Sequence, residues 1–220
     1  MIKPILFNTE MVRAILDGQK TCTRRIVKGA IPDDAMWGYT MFTPKGCISC
    51  RGMYADEYCE KFFRLPYQQG DILYVRETWQ FLYELDGNEQ TIEETGKYYY
   101  AATDIIPFNT YVDENGVNHD HAPWRPSIHM PKEAVRIWLK VTDVRVERLH
   151  DITGKSVLRE GINSHVHQDA DYFDGNQREV FAELWDSTIK KSDLDRYGWA
   201  ANPWVWVVEF ERCDKPKEEK

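Results

Sequence analysis

The run Gly18-Gln19-Lys20-Thr21-Cys22-Thr23-Arg24-Arg25 constrains this chain more than any other segment. Upstream of it, Asn8 or Thr9 can cap a short helix whose apolar residues Met11, Val12, Ile15 and Leu16 share one face. Gly18 is placed as the left-handed stop of that helix. Downstream, Thr21 to Val27 is rich in β-branched residues and predicts a strand. The chain must turn from helix to strand within a few residues while carrying three cations. Such a segment is costly to bury, and its side chains suit an anionic or carbonyl-bearing ligand.

Lys20 and Thr23 place a potential base near a potential nucleophile. A threonine hydroxyl is a poor nucleophile unless a neighbour takes its proton. A lysine can do so when desolvation or nearby cations favour its free amine, and Arg24 and Arg25 are close enough in sequence to contribute. In a regular strand, positions 20 and 23 face opposite sides. Convergence therefore requires Lys20 to sit in the turn after Gly18, with the strand beginning later. On spacing alone, a solvated basic strand edge is the stronger reading.

The rest of the chain reads as several strands and few helices. Gly70-Asp71 precedes the strand-forming run Ile72 to Trp79, Lys97 to Ala102 reads as another strand, and Ile137 to Leu149 as a long one. In the last, the apolar phase slips from odd to even positions, which predicts a bulge near Thr142-Asp143. Asp151 or Thr153 can cap a short helix ending before Gly161. Residues 177–189 form an amphipathic helix, and Trp204 to Arg212 closes the chain as an alternating strand. Residues 28–65 read as an irregular insertion. Residues 84–96 and 104–123 read as long loops able to shape a site. Trp124 to Pro131, bounded by prolines, is expected to be extended. The expected class is α+β: a small mixed β-barrel with short helices at its ends and long insertions at about 28–65 and 84–123. The expected organisation is a single domain over 1–213 with a charged tail at 214–220.

Charge and cysteine usage narrow the partners. The formal net charge of −8 argues against a general nucleic-acid coat protein. Residues 1–28 hold Lys3, Arg13, Lys20, Arg24, Arg25 and Lys28 against Glu10 and Asp17, a local +4 that leaves −12 for the remainder. A basic site on an acidic body suits a small anion or nucleotide. Five irregularly spaced cysteines and the absence of a long apolar run predict a cytoplasmic protein with free thiols and no membrane partner. Cys47-Ile48-Ser49-Cys50 has zinc-knuckle spacing with Cys59 nearby, but no second Cys-x-x-Cys follows. His119-Asp120-His121 and His165-Val166-His167 lack a third partner. No metal and no cofactor are expected.

Further candidates are single residues. Glu160 ends the 153–160 helix, where a carboxylate opposes the helix dipole. It reads either as an ordinary exposed glutamate or as an acid able to protonate a leaving group. Arg76 lies inside an apolar strand and needs a partner. Arg125 and Ser127 can contact phosphate or a ligand carbonyl. Trp79, Trp124 and Trp199 lie near strand ends and loops, where a base can stack, although most tryptophans serve a core.

Three segments together resemble the ASCH domain family: Gly18 to Arg25, the stretch Gly70-Asp71-Ile72-Leu73-Tyr74-Val75-Arg76-Glu77-Thr78-Trp79, and Leu158-Arg159-Glu160-Gly161-Ile162. Trp124 to Pro131 and Asn202-Pro203-Trp204-Val205-Trp206 resemble a larger branch of that family often encoded in prophages. The resemblance implies a PUA-like β-barrel related to RNA-binding PUA domains. Some small members are amidohydrolases that remove the acetyl group from N4-acetylcytidine with a lysine, a threonine and a glutamate. Their Gly-x-Lys-x-x-Thr pattern falls on Lys20 and Thr23, and the glutamate falls by position on Glu160. The resemblance thus implies binding of a nucleoside, nucleotide or single-stranded RNA base. Lys20, Thr23 and Glu160 would be catalytic, with Thr21, Arg24, Arg25, Arg76, Trp79, Trp124, Arg125, Ser127 and Trp199 as ligand contacts. A non-catalytic RNA-binding or modified-base reader, and a ribonuclease, are the alternatives.

Overall fold

The computed structural model describes residues 1–85, 90–107, 111–112, 115–162 and 170–217. The twelve strands among them are β1 (Ile2–Leu6), β2 (Cys22–Ile26), β3 (Met36–Gly38), β4 (Cys47–Tyr54), β5 (Glu57–Arg64), β6 (Ile72–Arg76), β7 (Trp79–Leu85), β8 (Thr91–Tyr100), β9 (Tyr111–Val112), β10 (Asn118–His119), β11 (Trp138–Arg148) and β12 (Trp204–Cys213). The α-helices are α1 (Thr9–Leu16), α2 (Gly154–Arg159), α3 (Ala170–Thr188) and α4 (Leu194–Tyr197). The class is mixed α+β, strand-rich with mostly short helices. The largest sheet has the order β1-β6-β11-β12-β2, and among the described residues it does not close into a barrel.

The chain divides into two compact units. The first comprises Met1, Gly18–Asp71 and Lys140–Glu211, and the second Ile2–Asp17, Ile72–Leu139 and Arg212–Lys220. In the first, β2 pairs antiparallel with β12, from Ile26↔Val205 to Cys22↔Glu209. Cys22, Arg24 and Ile26 therefore share a face with Val205, Val207 and Glu209, while Thr23 and Arg25 lie on the other face. The first face is covered by helices. Val205 and Val207 join Leu149, Ile152, Val157, Phe181 and Trp185 in one apolar cluster, packed by Ile26, Ile162, Ile189 and Trp199. Helix α2 is capped by Thr153, whose side chain accepts the Ser156 N–H.

Residues 28–65, expected to be irregular, instead fold as the antiparallel sheet β3-β4-β5. Along β4, Ile48, Cys50, Gly52 and Tyr54 are buried, while Arg51 and Met53 are exposed. The strand signal was hidden because Gly52 and the charged Arg51, Glu57, Glu60 and Lys61 interrupt the run of strand formers. The hairpin also turns on Ala55-Asp56, with Ala55 at φ 54°, rather than on Asn-Gly.

In the second unit, β1 and β6 pair in parallel from Ile2↔Ile72 to Leu6↔Arg76. Asn8 caps α1 by accepting the Met11 N–H, and the helix buries Val12, Ala14 and Ile15. The expected loop 84–96 is corrected in part, since β7 and β8 stay paired at Glu84↔Ile92 and Leu85↔Thr91. Gly96 makes this possible: a Cβ there would lie 2.6 Å from Phe81 Cζ and 2.9 Å from Tyr83 Cε1. The prolines around Ser127–His129 leave one turn of 3-10 helix rather than fully extended chain. β11 runs unbroken from Trp138 to Arg148.

Gly18 has φ 74°, with open space around it. Gly18→Ala therefore costs backbone strain alone, about 1 kcal/mol. Urea unfolding of the two proteins measures it, and an unchanged midpoint would mean that the turn relaxes.

Candidate functional site

The turn after Gly18 brings Lys20 to Glu160 rather than to Thr23. Strand β2 begins only at Cys22, so Lys20 precedes the strand and its side chain is tied to neither face. It folds inward to 2% exposure. Its ammonium donates to two oxygens of one residue: the Glu160 carbonyl and Glu160 Oε2, both at 2.8 Å. Glu160 is the C-cap of α2 and is 7% exposed, not a solvated last-turn residue. Its unfavourable position against the helix dipole is offset by two cations. Lys20 holds Oε2, and Arg24 Nη1 holds Oε1 at 3.0 Å.

Arg24 is 4% exposed and bridges further, through Nη2, to Glu147 at 3.3 Å. From Glu147 the ion pairs continue to Arg145 Nε at 2.5 Å. Arg145 Nη1 then donates to Glu209 at 2.7 Å and to Asp143 at 2.8 Å, and Arg159 Nη2 completes the chain on Glu209 at 2.6 Å. Arg159 also locks the turn. Its carbonyl accepts the Thr21 N–H at 2.8 Å and its Nε donates to Thr21 Oγ1 at 3.3 Å. Four cations (Lys20, Arg24, Arg145, Arg159) thus alternate with four carboxylates (Asp143, Glu147, Glu160, Glu209).

This electrostatic context shifts several groups. Arg159 beside Glu209 holds that carboxyl below its usual range, and Glu209 in turn raises Arg159. Burial pulls Arg145 down, but its hydrogen bonds to Asp143, Glu147 and Glu209 outweigh that and leave it raised. Burial, with Glu160 adding, pushes the Cys22 thiol up to about 12. On the opposite face of β2, burial lowers Arg25, while Tyr67 and Glu160 act to raise it.

The predicted site residues therefore separate. Lys20, Thr21, Arg24 and Glu160 come together at the start of β2. Thr23, 1% exposed, lies on the other face of the strand with Arg25. Arg24, expected as a ligand contact, is spent inside the protein on Glu160 and Glu147. Trp199 packs against the apolar cluster, 4.4 Å from the His150 ring and 6.0 Å from Phe181.

Five further candidates lie in the second unit. Arg76 Nε donates to the Met130 carbonyl at 3.0 Å. Trp79 is buried with Met130 and Ala134. Arg125 pairs with Trp79 through two backbone hydrogen bonds and lies 5.3 Å from its ring. Ser127 opens the 3-10 turn, and Trp124 is about one-third exposed.

Sequence reasoning missed Glu147, Arg145 and Glu209. The available signal was the alternation Asp143, Arg145, Glu147 on β11, a charged row within an apolar strand.

All five cysteines are free. Cys47 and Cys50 sit three apart on one strand and so point to opposite faces, which defeats a zinc-knuckle grip. Among the described residues, no three His, Cys, Asp or Glu side chains are grouped to hold a metal, and no helix is long and apolar enough to cross a membrane. His165 and His167 lie outside the described residues. Comparisons with protein-family models, curated proteins and solved structures find no match for this chain.

Replacing Glu160 by Gln leaves Lys20 and Arg24 buried without their shared anion. The expected loss is about 3–5 kcal/mol, read by equilibrium denaturation; a loss below about 1 kcal/mol would mean that both cations reach solvent. The raised Cys22 thiol stays protonated in the folded protein after its unfolded counterpart, with an ordinary value of 9.0, has ionised. Its contribution to stability is complete below pH 9 and falls as pH rises towards 12. A Cys22→Ala variant should show a shallower alkaline decline in melting temperature than the parent, and parallel curves would exclude this thiol as a cause.

Proposed function

We propose that this chain is a PUA-like ASCH protein that binds a nucleoside, nucleotide or RNA base and hydrolyses an N4-acylated cytidine with Lys20, Thr23 and Glu160. The observation that carries the reading is the buried contact between Lys20 Nζ and Glu160 Oε2 at 2.8 Å. Two residues 140 positions apart, both pointed to by the same family resemblance, are joined by a side-chain hydrogen bond.

That contact also defines the chemistry. As an ion pair, the ammonium has no lone pair with which to accept a proton from threonine. Movement of one proton from Nζ to Oε2 converts the pair into a free amine and a carboxylic acid, the base and the acid that amide cleavage needs. The next step requires the Thr23 hydroxyl, which lies on the opposite face of β2, to turn to the Lys20 side; the amine then takes its proton as the threonine oxygen attacks the acyl carbon. Collapse of the tetrahedral intermediate breaks the C–N bond, and Glu160 gives its proton to the departing N4 amine. Glu160, again a carboxylate, then accepts a proton from water as the water attacks the acyl-threonine ester. The Lys20 ammonium returns its proton to the threonine oxygen as the ester breaks, and the acyl group leaves as the acid. Glu160 passes its proton back to the Lys20 amine, restoring the starting pair.

The reader-module alternative relied on Arg24 and Arg25 as phosphate contacts. The commitment of Arg24 to two carboxylates weakens it.

Incubation with N4-acetylcytidine, followed chromatographically, should yield cytidine and acetate. Thr23→Val, which keeps the side-chain shape, and Lys20→Ala should each slow turnover by roughly 10²-fold or more. Absence of turnover by the parent protein, or parental turnover in Thr23→Val, sinks the reading.

A further inference from the structure

A pocket lies at the opposite end of β2 from the Lys20–Glu160 pair. Cys22 pairs with Glu209 beside that ion pair, whereas Ile26 pairs with Val205 beside the pocket. Four residues of strand separate the two places by about 13 Å. The cavity has a volume of about 320 Å³ and lies wholly within the first unit. That volume is at the lower end of the range for small-molecule sites.

Its walls combine two guanidinium groups with two aromatic rings. Arg148 is held by its two terminal nitrogens and by the face of its guanidinium. Nη1 donates to the Asn202 carbonyl at 2.9 Å, Nη2 donates to Asp33 Oδ1 at 2.9 Å, and the guanidinium lies 4.4 Å from the Trp204 ring. Arg196 is different. It is exposed and lies 5.0 Å from the Tyr197 ring, and it spends one N–H on the Gly29 carbonyl at 3.3 Å. Among the described residues it makes no other hydrogen bond or ion pair, so most of its five donors are available. Asp33 neutralises Arg148, and Arg196 leaves the pocket with one positive charge in excess.

We propose that this pocket binds a small planar anion, an aromatic ring carrying a phosphate or a carboxylate. Arg196 takes the anionic group, because a guanidinium matches either in a two-pronged contact. The ring stacks against the arginine and aromatic faces, as planar bases stack on arginine and aromatic planes elsewhere. The immobilised Arg148–Trp204 pair supplies a preorganised wall, so little side-chain freedom is lost there on binding. Arg196 closes on the ligand. The site is separate from the proposed acyl-cytidine site and does not depend on it.

Isothermal titration with cytidine 5′-monophosphate and with orotate distinguishes the two anionic groups, and uncharged cytidine reports the neutral ring. Saturable binding is expected for at least one anionic probe, weakened about tenfold or more by Arg196→Ala and unaltered by Thr23→Val. Arg196 is exposed, so its replacement leaves the core intact. Saturable binding that Arg196→Ala leaves unchanged, or no saturable binding of either anionic probe at millimolar concentration, overturns the proposal. So does loss of binding in Thr23→Val, which would assign the ligand to the other site. If turnover of N4-acetylcytidine fails while this binding persists, only the catalytic reading falls.

Discussion

The Glu160 carboxylate organises the first unit. It sits where a helix end disfavours an anion, and it is nearly out of water. Both penalties are met by Lys20 and Arg24, which would themselves be costly to bury without it. The arrangement fixes the turn at Gly18 and the entry into β2. It also fixes the end of α2 against that strand, because Lys20 grips the Glu160 backbone as well as its side chain. Each of these local structures needs the others to be in place.

The site was partly legible in the sequence. Gly18 announced the left-handed stop, and the strand following it was clear. Convergence with Thr23 required Lys20 to escape strand alternation; Lys20 does lie before Cys22, but it meets Arg24 at Glu160 while Thr23 faces the other way. The partnership with Glu160 was reached only through the family resemblance, since no local rule links residues so far apart. Arg24 was misjudged because a charged residue in a strand reads as exposed or ligand-facing. Its burial depends on Glu147, which lies on a strand distant in sequence. The row Asp143, Arg145, Glu147 was visible as alternation, but its meaning required knowing which strand it faced.

The same contrast holds for the fold. Elements with strong caps and periodicity, such as α1 with Asn8 and β12 with its alternating aromatics, could be read directly. The sheet β3-β4-β5 could not. Its stability comes from cross-strand pairing and from burial of Ile48, Cys50 and Tyr54, and its strand formers, Tyr58, Phe62 and Phe63 among them, are interrupted by Gly, Glu and Lys, which favour strands less. Gly96 shows the reverse case: a residue that weakens a strand locally leaves room for the Phe81 and Tyr83 rings that lie across it.

The ion-pair chain from Lys20 to Arg159 has a consequence at long range. Its four cations and four carboxylates sum to zero, so the charges of Lys20 and Arg24, two of the six cations in the first 28 residues, are cancelled locally once the chain folds. The assembled cluster projects little net field into the solvent and does not draw charged molecules from a distance. Electrostatic steering of a ligand to this end of β2 therefore falls to charges outside the cluster, and salt screens it.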